Sequence, residues 1–279
     1  MAGGAADSDS ALARASRILT AFDEAHRRLT LTELSARSGL AASTTHRMLA
    51  ELAKTGLVDR AADGRYTVGR RLWELGEISP ISLELRETAL PWLLTLYEAT
   101  AENVHFAILD GFEALYVARL VGPNSVPTMS RMGGRLPLHT TGVGKVLLAW
   151  QGQDYLTAYF SRRLERPTTF SITSEPRLRT QLREIRERGY SVTHQEQTLG
   201  NTSIAVPVRS PGSSASTDTS STDIAVGHPD AAPLAAVGVV THTARADPAR
   251  LVPVLSRAAA GLADDLAALM ARHGISDFH

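Results

Sequence analysis

The sequence predicts an α+β protein in two parts: a small head of three helices and a hairpin, then an antiparallel sheet with helices packed on it. Three observations carry this expectation. At 279 residues the chain exceeds what one small domain usually holds. Its zero net charge is unevenly spread: residues 11–71 hold eleven Lys and Arg against six Asp and Glu, a net of +5, so the rest carries −5. Helical periodicity dominates up to residue 71, whereas strand-like runs alternate with helices after about residue 100.

The head is read element by element. Leu12, Ala15, Ile18, Leu19 and Phe22 recur at helical spacing and form one apolar stripe. Thr30 with Glu33 is a capping box, and Leu29 with Leu34 occupies the two positions of a hydrophobic staple. A helix over 31–38 should follow and stop at Gly39. After a short turn, a third helix runs over about 41–55 with Thr45, Met48, Leu49 and Leu52 facing inward, and Gly56 ends it. Strand-like runs at 57–60 and 65–68 flank Ala61-Ala62-Asp63-Gly64, whose Asp-Gly pair suits a tight hairpin. Three helices and a hairpin in this order read as a winged helix-turn-helix over 11–71.

Residues 72–99 read as linker helices. Residues 70–77 look helical, Ser79-Pro80 interrupts, and Ser82 caps a helix to about Ala99 with Leu83, Leu90, Leu94 and Tyr97 as its stripe. Pro91 should kink it. In the second part, over 100–279, strands are expected at 104–109, 114–120, 190–196, 203–208 and 234–242, with helices at 142–151, 176–188 and from Asp247-Pro248 to about Arg272. Residues 210–222 are almost all Ser, Thr, Pro, Gly and Ala, and read as a flexible loop between two strands.

Composition excludes several classes. Apolar residues make up 43% and charged residues 21%, which rules out disorder of the whole chain. No apolar run reaches the roughly 18 residues of a membrane span, so no membrane partner is expected. Residues 1–10 lack a basic n-region and an apolar h-region, so they read as a disordered tail rather than a secretory signal. With no cysteine there is no disulfide framework, thiol nucleophile or Cys-ligated metal, which fits a cytoplasmic protein.

In a helix-turn-helix the second helix of the pair enters the major groove. Here it presents Ala42, Ser43, Thr44, His46 and Arg47. The first-turn hydroxyls and free N–H groups suit phosphate oxygens. Arg47 suits guanine O6 and N7 or a phosphate, and His46 suits either task. Arg60 and Arg65 on the wing are placed for flanking backbone or minor groove. A basic module joined to a mildly acidic body points to a polyanion-binding head.

No enzyme is expected. Thr141-Gly142-Val143-Gly144-Lys145 fails as a phosphate loop because position 139 is His and position 146 is Val. Gly142 and Gly144 can open a helix N-terminus that takes a small anion or polar ligand. Lys145 fits that role or a structural salt bridge equally well. His105, His139, His194 and His242 match no zinc spacing, so no metal or other cofactor is expected. Glu102 and Glu196 are acid–base candidates only if they meet in space.

These residues carry a resemblance. The runs at 11–19, Leu31-Thr-Glu-Leu, Gly39-Leu40, Ser43-Thr-Thr-His-Arg47 and 64–72 resemble the IclR family of bacterial transcriptional regulators. So do Gly134-Arg-Leu-Pro-Leu-His-Thr-Thr-Gly-Val-Gly-Lys145, Ile185-Arg-Glu-Arg-Gly-Tyr190, 196–200 and Ile204-Ala-Val-Pro207. The resemblance spans about residues 10–272. It implies a winged-helix head, a linker helix and a C-terminal GAF-like effector domain. It also implies homodimers that often pair into tetramers on double-stranded operator DNA, repressing or activating according to the member. A small metabolite in the C-terminal domain shifts DNA affinity.

In acid-sensing members the ligand positions fall here on Gly142, Val143, Thr193, Ser203, Gly238 and Val240. This chain departs from their pattern. Thr193 replaces a carboxylate, Ser203 a cysteine, and Gly238 and Val240 two serines. The expected pocket is roomier and more apolar, fit for a larger or less polar effector such as an aromatic one. Met129, Met132 and Leu136 either line it or belong to the core. In the head, Ala41-Ala42 stands where proline and a basic or polar residue are common, so DNA affinity leans on Ser43, Thr44 and Arg47. The expected protein is a ligand-controlled, sequence-specific regulator. The competing readings are an architectural DNA binder without ligand and an enzyme carrying a DNA-binding head.

Overall fold

The computed structural model describes residues 10–23, 25–79, 81–209 and 232–273. The stretch 1–9 and the Ser/Thr-rich stretch 210–222 lie outside the described residues. The chain divides into two compact units between residues 79 and 80.

The first unit begins with α1 (Ala11–Thr20), where the Ser10 hydroxyl accepts from the Ala13 amide. The α1 stripe is shorter than its periodicity predicts. Ile18 is fully buried, but Leu12 stays 83% exposed, because among the described residues of this unit none covers the first turn of the helix. Helix α2 (Leu31–Ser38) starts with the complete Thr30–Glu33 capping box and ends at left-handed Gly39. Helix α3 (Ala42–Lys54) follows. Its inner face buries Thr45, Leu49 and Leu52, and Met48 packs beside them. Strands β1 (Val58–Arg60) and β2 (Tyr66–Val68) pair antiparallel as the wing. Tyr66 also exchanges both backbone hydrogen bonds with Leu29, which ties the wing to the approach to α2. The last helix of this unit is α4 (Arg70–Glu77).

The second unit opens with a π-helical segment, Ile81–Arg86, running into α5 (Glu87–Thr100). Ser82 therefore lies inside a helical turn and is not a cap. The buried face is Leu85, Ala89, Leu93 and Leu96, whereas Leu94 is exposed. The helix carries leucines nearly all round, so periodicity alone permits more than one face. Packing selects the face that carries small Ala89. The second half of the expected linker is thus part of the second unit's core.

Six antiparallel strands form one sheet: β3 (Asn103–Asp110), β4 (Glu113–Leu120), β5 (Arg135–Pro137), β6 (Ser191–His194), β7 (Asn201–Val208) and β8 (Ala235–His242). Their spatial order is β5-β4-β3-β8-β7-β6. Alternation divides the sheet's residues between two faces. Val104, Phe106, Ile108, Ile204, Val206, Val237 and Val239 pack against α5 and α9 (Pro248–His273). At that interface Gly261 admits the Trp92 ring, which a Cβ would overlap, and the Trp92 indole donates to Asp265 at 2.7 Å.

The opposite face carries small residues, Ala107, Ala114, Ala205, Ala236 and Gly238. They admit α6 (Gly142–Ala149), every residue of which is buried. Helix α8 (Glu175–Arg188) packs against α6, and α7 (Gln153–Phe160) adds to the same core. Neither β5 nor α7 was expected. Three residues are too few to show alternation, and α7 carries aromatic and polar residues without a clean stripe.

Candidate functional site

In the first unit, Gly39, Leu40 and Ala41 join α2 to α3, and the Ser35 hydroxyl donates to the Leu40 carbonyl at 2.6 Å. Ala41 supplies no side-chain cap, so the first-turn amides of α3 have no such acceptor. Ala42, Ser43, His46 and Arg47 are exposed, and Thr44 is half-buried. They form one solvent-facing strip, because Thr45 and Leu49 turn the other way into the core. The wing arginines are less free. Arg65 Nη1 lies 3.5 Å from the Glu33 carboxylate, and Arg60 sits over the Tyr66 ring. Sequence spacing cannot show the Arg65–Glu33 contact, which follows from the Tyr66–Leu29 bridge, whereas Arg60 meets Tyr66 as its partner across the β1–β2 pair.

In the second unit a cavity open to solvent lies between the sheet and the start of α6. Its apolar wall is Met129, Leu136 and Val240. Tyr116 and His105 come from the central strands, and Thr193 and Ser203 from β6 and β7. Thr140 and Thr141 precede α6, while Glu196, Gln197 and Thr198 come from the β6–β7 connection and Asn201 opens β7. Thr128 and Ser130 complete the lining.

The sequence-derived residues divide here. Met129, Leu136, Thr193, Ser203 and Val240 line the cavity, while Met132 is a 56% exposed surface residue outside the lining. Gly142, Val143 and Gly238 are not among the lining residues, and the two glycines sit where the chain packs closely. A Cβ on Gly142 would stand 2.5 Å from Ser203 Oγ, and one on Gly238 would stand 2.9 Å from the Ala205 Cβ. Val143 is core. The wall is also richer in hydroxyls than expected. Losing serines at 238 and 240 is offset by Thr128, Ser130, Thr140, Thr141 and Tyr116. Thr140, Thr141 and Glu196 belong to motifs quoted above, so adjacency to Gly142 was a usable signal for the first two. Thr128 and Ser130 carried none.

Several buried polar groups around the cavity are partnered. Lys145, on α6 and fully buried, holds both Glu196 oxygens at 2.6 and 2.7 Å and Gln181 at 2.5 Å. Burial pushes the Lys145 ammonium below its ordinary pKa, against the pull of Glu196. Of the two roles open to Lys145, the salt bridge is the one present. Glu102 is instead bound by Arg245 and Thr241, so the two glutamates answer to different partners.

His105 Nε2 lies 2.9 Å from Ser130 Oγ, and burial, assisted by Arg119, lowers its pKa to about 3. Burial raises the Tyr116 phenol, against a hydrogen bond with Thr141. His139 has both ring nitrogens engaged, with Tyr159 Oη and the Glu165 carbonyl, each at 2.8 Å. Among the described residues no three His, Cys, Asp or Glu side chains gather to hold a metal. Among them, too, no helix is long and apolar enough to cross a membrane.

Comparison with known proteins agrees with this geometry. Residues 11–62 match the IclR helix-turn-helix domain, and residues 81–217 match the bacterial transcriptional regulator IclR C-terminal domain. The HTH-type transcriptional regulator XynR of Escherichia coli is 36% identical over 70% of this chain and 78% of its own length. The transcriptional repressor IclR of the same organism is 31% identical over 68% and 70%. A crystal structure of an IclR homolog from Microbacterium hydrocarbonoxydans, complexed with 4-hydroxybenzoate, superposes with a TM-score of 0.81. It is 30% identical and covers 93% of this chain and 100% of that one. The Thermotoga maritima IclR structure gives 0.70 at 25% identity, over 92% and 98%.

Proposed function

The chain belongs to the IclR family of bacterial transcriptional regulators, and from that premise we propose which residues read DNA and which hold the effector. The protein is a DNA-binding regulator whose operator affinity is set by a small molecule in its C-terminal domain. The DNA-reading head comprises residues 11–71. Ser43, Thr44 and the uncapped amides of the first turn of α3 hold backbone phosphates. Arg47 and His46 reach base edges, with Ala42 in contact at the groove. Arg60 and Arg65 serve the flanking duplex, and Arg65 must first leave Glu33.

The effector unit is 100–279, and the observation that carries the ligand reading is the cavity against the start of α6. Its effector is a small ring-bearing molecule with a hydroxyl or carboxyl group. Leu136, Met129 and Val240 face the ring, while Thr193, Ser203 and the Thr140–Thr141 pair meet the polar groups. The 4-hydroxybenzoate carried by the Microbacterium homolog supports this class. The cavity binds and does not turn over its ligand: Glu196 is committed to Lys145, and His105 to Ser130. The working species is a cytoplasmic homodimer or a pair of dimers. Residues 72–99 pass the ligand signal.

Thermal melting of the full chain against a panel of aromatic and aliphatic acids tests the ligand reading. Stabilisation by ring-bearing members is expected. A flat response across the panel would return weight to an architectural DNA binder, and conversion of any member to product would revive the enzyme reading.

A further inference from the structure

The charge that the cavity accepts, taken as the effector site proposed above, follows from groups around it. Among the described residues Glu196 is the one carboxylate in its lining, and Lys145 holds both of its oxygens, so that pair adds no net charge. The other lining groups are hydroxyls, amides and apolar side chains. His105 is neutral near pH 7, since burial holds its pKa at about 3. The lining is therefore uncharged overall.

One cation stands directly behind it. Arg119 is paired with His105 across the β3–β4 ladder, so the two side chains share a face. A bulge opposite Phe106 and Ala107 lets Tyr116 and Arg119, three residues apart, both turn to this face. Arg119 Nη1 donates to the Ser130 carbonyl at 2.9 Å, and the Ser130 hydroxyl meets His105. Arg119 Nε is buried with no hydrogen-bond partner, and among the described residues no carboxylate pairs with this guanidinium.

We propose that Arg119 is a specificity-determining residue, acting from behind Ser130 and His105 to make the cavity prefer a ligand with one negative charge. It needs no direct contact, because a half-buried charge beside a cavity acts through an effective dielectric well below that of water. A neutral isostere forfeits the attraction. A second carboxylate finds no second cation among the described lining residues, since Lys145 is already taken.

The test is calorimetric titration of the full-length protein with 4-hydroxybenzoate and its neutral isostere 4-hydroxybenzamide. The acid should bind about tenfold tighter than the amide. Arg119→Gln should bring the ratio near one while amide affinity holds within about twofold, and Arg119→Lys should keep the acid preference. Equal wild-type affinities would overturn the proposal without any variant. So would equal losses for both ligands in Arg119→Gln, which is what a purely structural Arg119 predicts. If neither aromatic binds, the aromatic reading falls by itself, and the same ratio measured with propionate and propionamide decides the role of Arg119.

Discussion

Helices α3 and α6 are built for opposite purposes from similar openings. Each begins with small residues, and α3 continues with charged and polar side chains on the outside while α6 shows nothing to solvent. Helix α3 commits one face, Thr45, Leu49 and Leu52, to the core and leaves Ser43, His46 and Arg47 in water. Helix α6 buries all eight residues, a lysine among them. A helix that reads a surface needs only half its circumference for folding. A helix that floors a cavity must be packed on every side, so its polar groups have to be matched inside the protein.

The comparison predicts that α6 is the costlier helix to alter. Lys145→Met strips the partner from buried Glu196 and should cost roughly 3–5 kcal/mol in urea unfolding. A loss below about 1 kcal/mol would mean that the pair is dispensable. Gly144→Ala puts a Cβ 2.6 Å from the Leu138 backbone and should cost about 1–3 kcal/mol by the same assay.

On α3 the effect should move from stability to binding. Arg47→Ala should weaken operator binding by about 1–3 kcal/mol if it reads a base, and shift stability by less than about 0.5 kcal/mol. If binding falls equally on scrambled DNA and the salt slope drops by about one unit, Arg47 contacts phosphate only.

The two regions should also differ in their response to acid. The folded pKa of His105, about 3, lies below its ordinary 6.5, so the unfolded chain binds the extra proton between those values. Stability is then full above about pH 6.5 and falls on acidification towards pH 3, by up to about 1.4 kcal/mol per pH unit from this group. Urea melts at pH 7.5 and 5.5 should show a smaller acid loss in His105→Asn than in wild type. The smallest effect belongs to the head: Thr30→Ala breaks the capping box and should cost about 1 kcal/mol.

The same contrast explains what was legible in the sequence. The head was readable almost residue by residue, because caps, turns and stripes are local signals. The Thr30–Glu33 box, left-handed Gly39 and the wing all occur where spacing placed them. Leu12 belongs to the α1 stripe yet is exposed, because periodicity reports an apolar residue, not a neighbour to cover it. In the second unit the long strands, α6 and α8 were legible, but α5 was assigned the wrong face because its leucines permit several.

The cavity was only half legible. Met129, Leu136, Thr193, Ser203 and Val240 line it, whereas Gly142, Val143 and Gly238 let α6 lie close to the sheet. Its remaining wall comes from His105, Tyr116, Ser130 and the 196–198 turn, which only long-range strand pairing brings together. No local spacing encodes that meeting.

The most direct measurement of the whole account is fluorescence anisotropy of the full chain on its own upstream duplex, beside a scrambled duplex, with and without 4-hydroxybenzoate. The experiment is repeated with Val240→Trp, which fills the cavity. The account predicts selective binding to the upstream duplex, a ligand-dependent shift in affinity, and loss of that shift in Val240→Trp with DNA binding retained. Equal binding to both duplexes across further genomic fragments, or an undiminished ligand shift in the filled variant, would contradict it.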